Sequence, residues 1–198
     1  VDGPGASADA WQTLGEYYAS ARRYAESAAV LKQALARYPD DLDLQFQYGA
    51  MLERQKQTAE AERVFRAVLV KDPEHAAALN YLGYTLVERG ERLEEAVTLI
   101  TRAVELDPHN GAYLDSLGWA CFKLGRLDDA EKHLRVAAAQ LPADSVVQEH
   151  WGDLLARRGR ASEAVSAWKQ ALAGDGDGID RGAIERKIRK ATDRLPRP

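Results

Sequence analysis

Apolar residues along this chain fall at helical spacings. Leu114, Leu117 and Cys121 stand at i, i+3 and i+7; after the turn Leu124-Gly125-Arg126, Ala130, Leu134 and Ala137 form a second stripe at i, i+4 and i+7. Apolar positions so spaced gather on one side of an α-helix. Gly125 suits the left-handed residue that ends a helix, and Pro142 closes the second stripe because proline cannot continue a helix interior. The segment therefore reads as two helices joined by a tight turn. No segment of strand period competes with this reading.

The same pattern recurs along the chain. Gly15, Gly49, Gly83, Gly118 and Gly152 are separated by 34, 34, 35 and 34 residues. Pro39, Pro73, Pro108 and Pro142 keep the same rhythm, as do the small residues Ser27, Ala61, Ala96, Ala130 and Ala164. All registers share one extra residue, which comparison of 90–96 with 125–130 places in a turn. Each mid-helix glycine costs about 1 kcal/mol against alanine, so its recurrence predicts close approach of a partner helix at that point. The segments run over 8–41, 42–75, 76–110, 111–144 and 145–178. An amphipathic segment, 179–198, then carries Ile184, Ile188, Ala191 and Leu195 on one side. It is expected to be an eleventh helix covering the last repeat, as repeat arrays require for solubility. Residues 1–7 read as a linker or cloning remnant.

These residues resemble the tetratricopeptide repeat (TPR) family. Trp11-Gln-Thr-Leu14-Gly15-Glu-Tyr-Tyr18 matches the first half of the family's unit and Ala164-Val-Ser-Ala-Trp168-Lys-Gln-Ala171 the second. Lys56 replaces the turn glycine in the second unit, and Gly176 stands where the fifth would have its closing proline. The resemblance implies an all-α fold, a right-handed superhelical solenoid of about eleven helices. It also implies a role in protein binding. The runs 78–84 and 110–119 are further similar to bacterial TPR proteins, several of them exported, lipid-anchored adaptors. On that likeness the chain would be the C-terminal part of a periplasmic protein. The absence of a basic-then-apolar leader fits a cytoplasmic protein or a trimmed fragment.

Composition narrows the function classes. The 198 residues carry 27 Lys+Arg and 31 Asp+Glu, a net charge of -4, which argues against a dedicated nucleic-acid binder. One cysteine excludes an internal disulfide framework. No apolar run approaches the roughly 18 residues that a membrane helix needs. Cys121 occupies the slot of Leu52, Leu86 and Leu155 and is expected to be a buried thiol rather than a nucleophile. His75 and His109 recur at equivalent turns but make too few ligands for a metal. Asp175-Gly-Asp-Gly178 lacks the remaining positions of a calcium loop and reads as a turn before a helix capped by Asp180. The basic residues after Arg181 read as the solvated side of the terminal helix. No phosphate loop, paired metal-binding histidines or nucleophile elbow occurs, so neither catalysis, cofactor nor metal is expected.

In TPR proteins the first helix of each unit lines a concave groove, the usual ligand surface. Carried onto this chain by repeat phase, that groove holds Phe46 and Arg54 in the second unit and Asn80 and Tyr84 in the third. The fourth supplies Asp115, Trp119, Phe122 and Lys123, and the fifth Glu149, Asp153 and Arg157. Trp119 and Tyr84 lie off the packing stripe and are expected to be exposed aromatic anchors, with Phe46 likewise off it. Asn80 offers a donor and an acceptor to a peptide backbone. Glu149 and Asp153 would repel a ligand's C-terminal carboxylate, so an acidic chaperone tail is not the expected partner. The expected role is a non-catalytic scaffold that binds a peptide segment or helix of another protein. Self-association into oligomers, or recruitment of substrates to a larger machine, is the alternative.

Overall fold

The computed structural model describes residues 7–193, and eleven helices and no strand lie among them. One compact unit, residues 1–89, holds α1 (Ala8–Ser20), α2 (Tyr24–Arg37), α3 (Leu42–Arg54), α4 (Thr58–Lys71) and α5 (Ala76–Arg89). The second, residues 90–198, holds α6 (Leu93–Leu106), α7 (Gly111–Lys123), α8 (Leu127–Gln140), α9 (Ser145–Arg157), α10 (Ala161–Ala173) and α11 (Arg181–Thr192). Most of the expected linker, 1–6, and the end of the chain including Leu195 lie outside the described residues. Ser7, expected to belong to the linker, caps α1 with its side chain.

Odd- and even-numbered helices start differently. Asp41, Asn110, Asp144 and Asp180 each accept backbone N–H groups at the start of α3, α7, α9 and α11, for example Leu44 N–H at 2.9 Å and Val147 N–H at 3.0 Å. His75 does the same for α5, its Nδ1 accepting the Ala78 N–H at 3.2 Å. Such caps satisfy donors that the first helical turn leaves open. The even-numbered helices have no side-chain cap. They follow tight turns that contain a left-handed residue: Arg22, Lys56, Arg92, Gly125 or Gly159. The longer turn before α6 uses two such residues, Gly90 and Arg92.

A residue with a side chain costs about 1–2 kcal/mol in the left-handed region. Lys56, at φ 62°, is exposed and stands where the third, fourth and fifth repeats have glycine and the first has Arg22. Lys56→Gly should therefore raise stability by roughly 0.5–1 kcal/mol after glycine's larger unfolded-state entropy is subtracted. Urea denaturation checks this, and an unchanged or lower midpoint would count against it.

Gly15, Gly49, Gly118 and Gly152 are points of helix contact, as their phase predicts. A Cβ on Gly118 would lie 2.6 Å from Leu134 Cγ and 3.0 Å from the Leu134 backbone nitrogen. At Gly152 the Trp168 ring fills the equivalent space. The small residues Ser27, Ala61, Ala130 and Ala164 opposite them are fully buried. In the first unit, Trp11, Leu31, Ala34 and Leu44 form one core cluster. In the second, Trp168, Leu155 and Ala171 pack with Ile184 of α11. The terminal helix thus buries its apolar side on α9 and α10.

Candidate functional site

Helix α7 is enclosed over two full turns: every residue from Leu114 to Cys121 is buried. Trp119 is only 7% exposed, so the expected exposed anchor is a core residue. Its ring stacks on His150 of α9 at a centroid distance of 3.9 Å and 11°, and on Phe122 at 4.9 Å and 7°. His150 Nδ1 in turn lies 2.9 Å from Asp115 Oδ2 and 3.1 Å from Oδ1. Asp115 is also buried. The carboxylate, imidazole and indole form one shelf that ties α7 to α9. The single apolar stripe read from the sequence assigns α7 one buried side, whereas this helix has packing partners on several.

Above the shelf, the remaining positions are accessible. Phe122 is half-buried and Lys123 and Arg157 are exposed. Lys123 Nζ sits 4.5 Å from the Trp119 ring centroid, within cation–π range. An aromatic side chain and one cation are therefore held beside a buried support, and Arg157 stands exposed two turns along α9 from His150.

Glu149 and Asp153 are placed otherwise than expected. Lys187 of α11 donates to Glu149 Oε1 at 2.7 Å and to Asp153 Oδ1 and Oδ2 at 2.7 and 2.8 Å. Trp168 Nε1–H donates to Asp153 Oδ1 at 2.9 Å. Both carboxylates serve the terminal helix, and the expected repulsion of an acidic ligand is reduced by this ammonium, which offsets one of the two charges. The signal was present in the sequence: Lys187 interrupts the apolar seam of Ile184, Ile188 and Ala191 at i+3. Burial opposes the Lys187 charge, but its hydrogen bonds to Asp153 and Glu149 outweigh that and raise its pKa. This contact's contribution is complete below about pH 10.4, the unfolded lysine value, and is lost as pH rises through the higher folded one. The stability difference between the wild type and Lys187→Met should stay constant from neutral pH to about pH 9 and shrink above about pH 10.4.

In the first unit, Phe46 is half-buried within an aromatic cluster rather than displayed. Its ring centroid lies 6.0 Å from Phe65, 5.2 Å from Tyr81 and 5.1 Å from His75. Asn80 is 6% exposed, and its Oδ1 is buried with no hydrogen-bond partner among the described residues. Tyr84 is half-buried and Arg54 exposed. The expected groove positions thus divide into buried supports (Asn80, Asp115, Trp119), α11 partners (Glu149, Asp153), and accessible side chains. His150 and Lys187 are the two contributors that repeat phase did not indicate.

The remaining candidates have structural places. Cys121 is buried, and desolvation pushes its thiol pKa up, the opposite of an activated nucleophile. Asp175 Oδ1 accepts the Asp177 and Ser145 N–H groups, which shapes the turn before α11. Among the described residues no group of three or more His, Cys, Asp or Glu is placed to hold a metal ion. None of their helices is long and apolar enough to cross a membrane.

The family model described as tetratricopeptide repeat matches residues 13–72, 54–111 and 88–145. A TPR repeat-containing protein of Pseudomonas aeruginosa, PA4667, is 36% identical over 123 residues, 62% of this chain but only 21% of that protein. The crystal structure of TTC0263, a thermophilic TPR protein of Thermus thermophilus, superposes with a TM-score of 0.76 over 94% of this chain and 99% of that one, at 19% identity. PilF of Pseudomonas aeruginosa gives 0.69 over 94% and 87%, at 20% identity. MamA from Desulfovibrio magneticus gives 0.65 over 90% and 100%, at 18% identity. At these identities the three structures show a shared fold.

Proposed function

The chain belongs to the tetratricopeptide-repeat family, and on that premise we propose that it is a non-catalytic scaffold whose α7–α9 face binds a peptide segment of a partner protein. One observation carries this reading. Phe122, Lys123 and Arg157 stand accessible at the repeat positions that the family uses for ligands, beside the buried Asp115–His150–Trp119 shelf. A rigid aromatic support with cations at its edge supplies contact area at low entropic cost and holds polar groups in place for a ligand. Because Lys187 offsets one of the two charges of Glu149 and Asp153 and the exposed Lys123 and Arg157 add two cations, the face favours a segment with an apolar anchor and polar or acidic neighbours. An acidic C-terminal tail is therefore a fair competitor in the test.

Peptides selected on the whole chain from a random display library provide that test. Truncation of a central contact typically costs at least about 1.4 kcal/mol, so Phe122→Ala and Lys123→Glu should each weaken the selected peptides about tenfold. Circular dichroism should show both variants folded, since neither side chain is fully buried. Unchanged affinity in both variants would remove the face from consideration. Trp119→Ala is unsuitable here, because loss of that buried ring would perturb the fold as well as the surface.

A further inference from the structure

The other side of α7 carries a second feature. Between α6 and α8 lies an open cleft of about 430 Å³, with Val97 and Val104 of α6 on one wall and Leu117 and Cys121 of α7 at its base. His133 and Asp129 of α8, Arg126 before it and Glu105 of α6 line the remainder. Residues 117 and 121 are on the opposite side of the helix from 119 and 123, so the cleft is separate from the face proposed above.

Repeat phase explains why the cleft is there. The position of Leu117 is leucine in the first and third repeats as well but Tyr48 in the second and Trp151 in the fifth, and every other repeat has a larger residue than Cys121 at its position, such as Leu52 and Leu155. Trp151 packs against the core cluster that holds Ala137 and Ala138 of α8 and also against the one that holds Ala164 and Trp168 of α10. Its indole thus occupies the groove that corresponds to the cleft. Arg160 lies over that indole, 5.9 Å from the ring centroid, while also pairing with Glu131 and Glu163. Arg126 is the counterpart of Arg160 and is likewise held, by Glu94 at 2.8 and 3.1 Å. Where the later repeat supplies its own aromatic ring and a guanidinium over it, this repeat has the guanidinium, the walls and smaller side chains.

We propose that the cleft between α6 and α8 is a docking pocket for an aromatic side chain, tryptophan or tyrosine, of a partner segment that carries basic residues beside it. The aromatic preference follows from the groove that Trp151 fills. The basic flanks follow from charge: Asp129 lines the cleft as a carboxylate, Glu105 beside it is shared with Arg102 at 3.0 Å, and the positive Arg126 is paired with Glu94. His133, whose pKa is lowered first by burial and then by Lys132, adds no charge at neutral pH.

The test titrates acetyl-Lys-Trp-Lys-amide into the whole chain, with Lys-Ala-Lys and Glu-Trp-Glu analogues, and follows the His133 ring proton signals. The Lys-Trp-Lys peptide should bind and shift those signals, and each analogue should bind about tenfold or more weakly. Leu117→Trp supplies the ring that the later repeat has, and Cys121→Leu supplies the leucine found at that position in other repeats; both should abolish binding. The second is the milder change and stands alone if the first disturbs the fold. Phe122→Ala should leave this binding unchanged. Absence of binding to the wild type would overturn the proposal. So would equal binding of the alanine analogue, or binding that survives both filling substitutions.

Discussion

Trp168→Ala should destabilise the second unit by about 3–5 kcal/mol, the range for deletion of a large buried aromatic. Trp168 is 4% exposed and its ring occupies the space that Gly152 leaves for it. Glycine has no side chain that can relax into the void, which places the cost toward the upper end of the range. The substitution also removes the indole N–H from Asp153, the carboxylate that holds Lys187 of α11. The loss should therefore spread to the terminal helix. Amide hydrogen exchange in α9, α10 and α11 should accelerate together, and urea denaturation should give the free energy. Trp168→Phe keeps most of the volume and should cost much less. A Trp168→Ala loss below about 1 kcal/mol would contradict the packing described.

Asp115→Ala should cost about 1–3 kcal/mol, the penalty for a buried hydrogen-bonding group deprived of its partner. Here that group is Nδ1 of His150, a residue 6% exposed whose ring stacks on Trp119. Asp115→Asn retains an acceptor and should cost less. His150→Phe preserves the stack on Trp119 while removing the polar group, so combining it with Asp115→Ala should cost less than the two changes summed. A coupling of about 1–2 kcal/mol in that double-mutant cycle would identify the interaction. Strict additivity would show that Asp115 and His150 act independently.

The helices, their number and their glycine contacts were legible because period and phase are one-dimensional signals. Gly118 against Leu134 and Gly152 against Trp168 are where the recurrent glycines place a helix contact. Exposure was less legible. A single apolar stripe describes a helix with one buried side, and it left Trp119 and Phe46 looking accessible. In the structure α7 has neighbours enough to bury eight consecutive residues, and Phe46 joins a cluster with residues of α4 and α5. Pairings between helices were legible only in part. Nothing near Asp115 in the sequence marks His150, 35 residues later, as its partner. Lys187 was marked by its place in an apolar seam, but its two acceptors on α9 come from the fold. The cleft beside Leu117 becomes visible only when a repeat is compared with its neighbours.

A partner's peptide should bind on the α7–α9 face. Backbone amide chemical shifts of the whole chain, recorded with and without a library-selected peptide, test it most directly. The largest changes should cluster at Phe122, Lys123 and Arg157 and around the His150–Trp119 stack. Changes confined to other helices, or to the Leu117 and Cys121 side of α7, would contradict it.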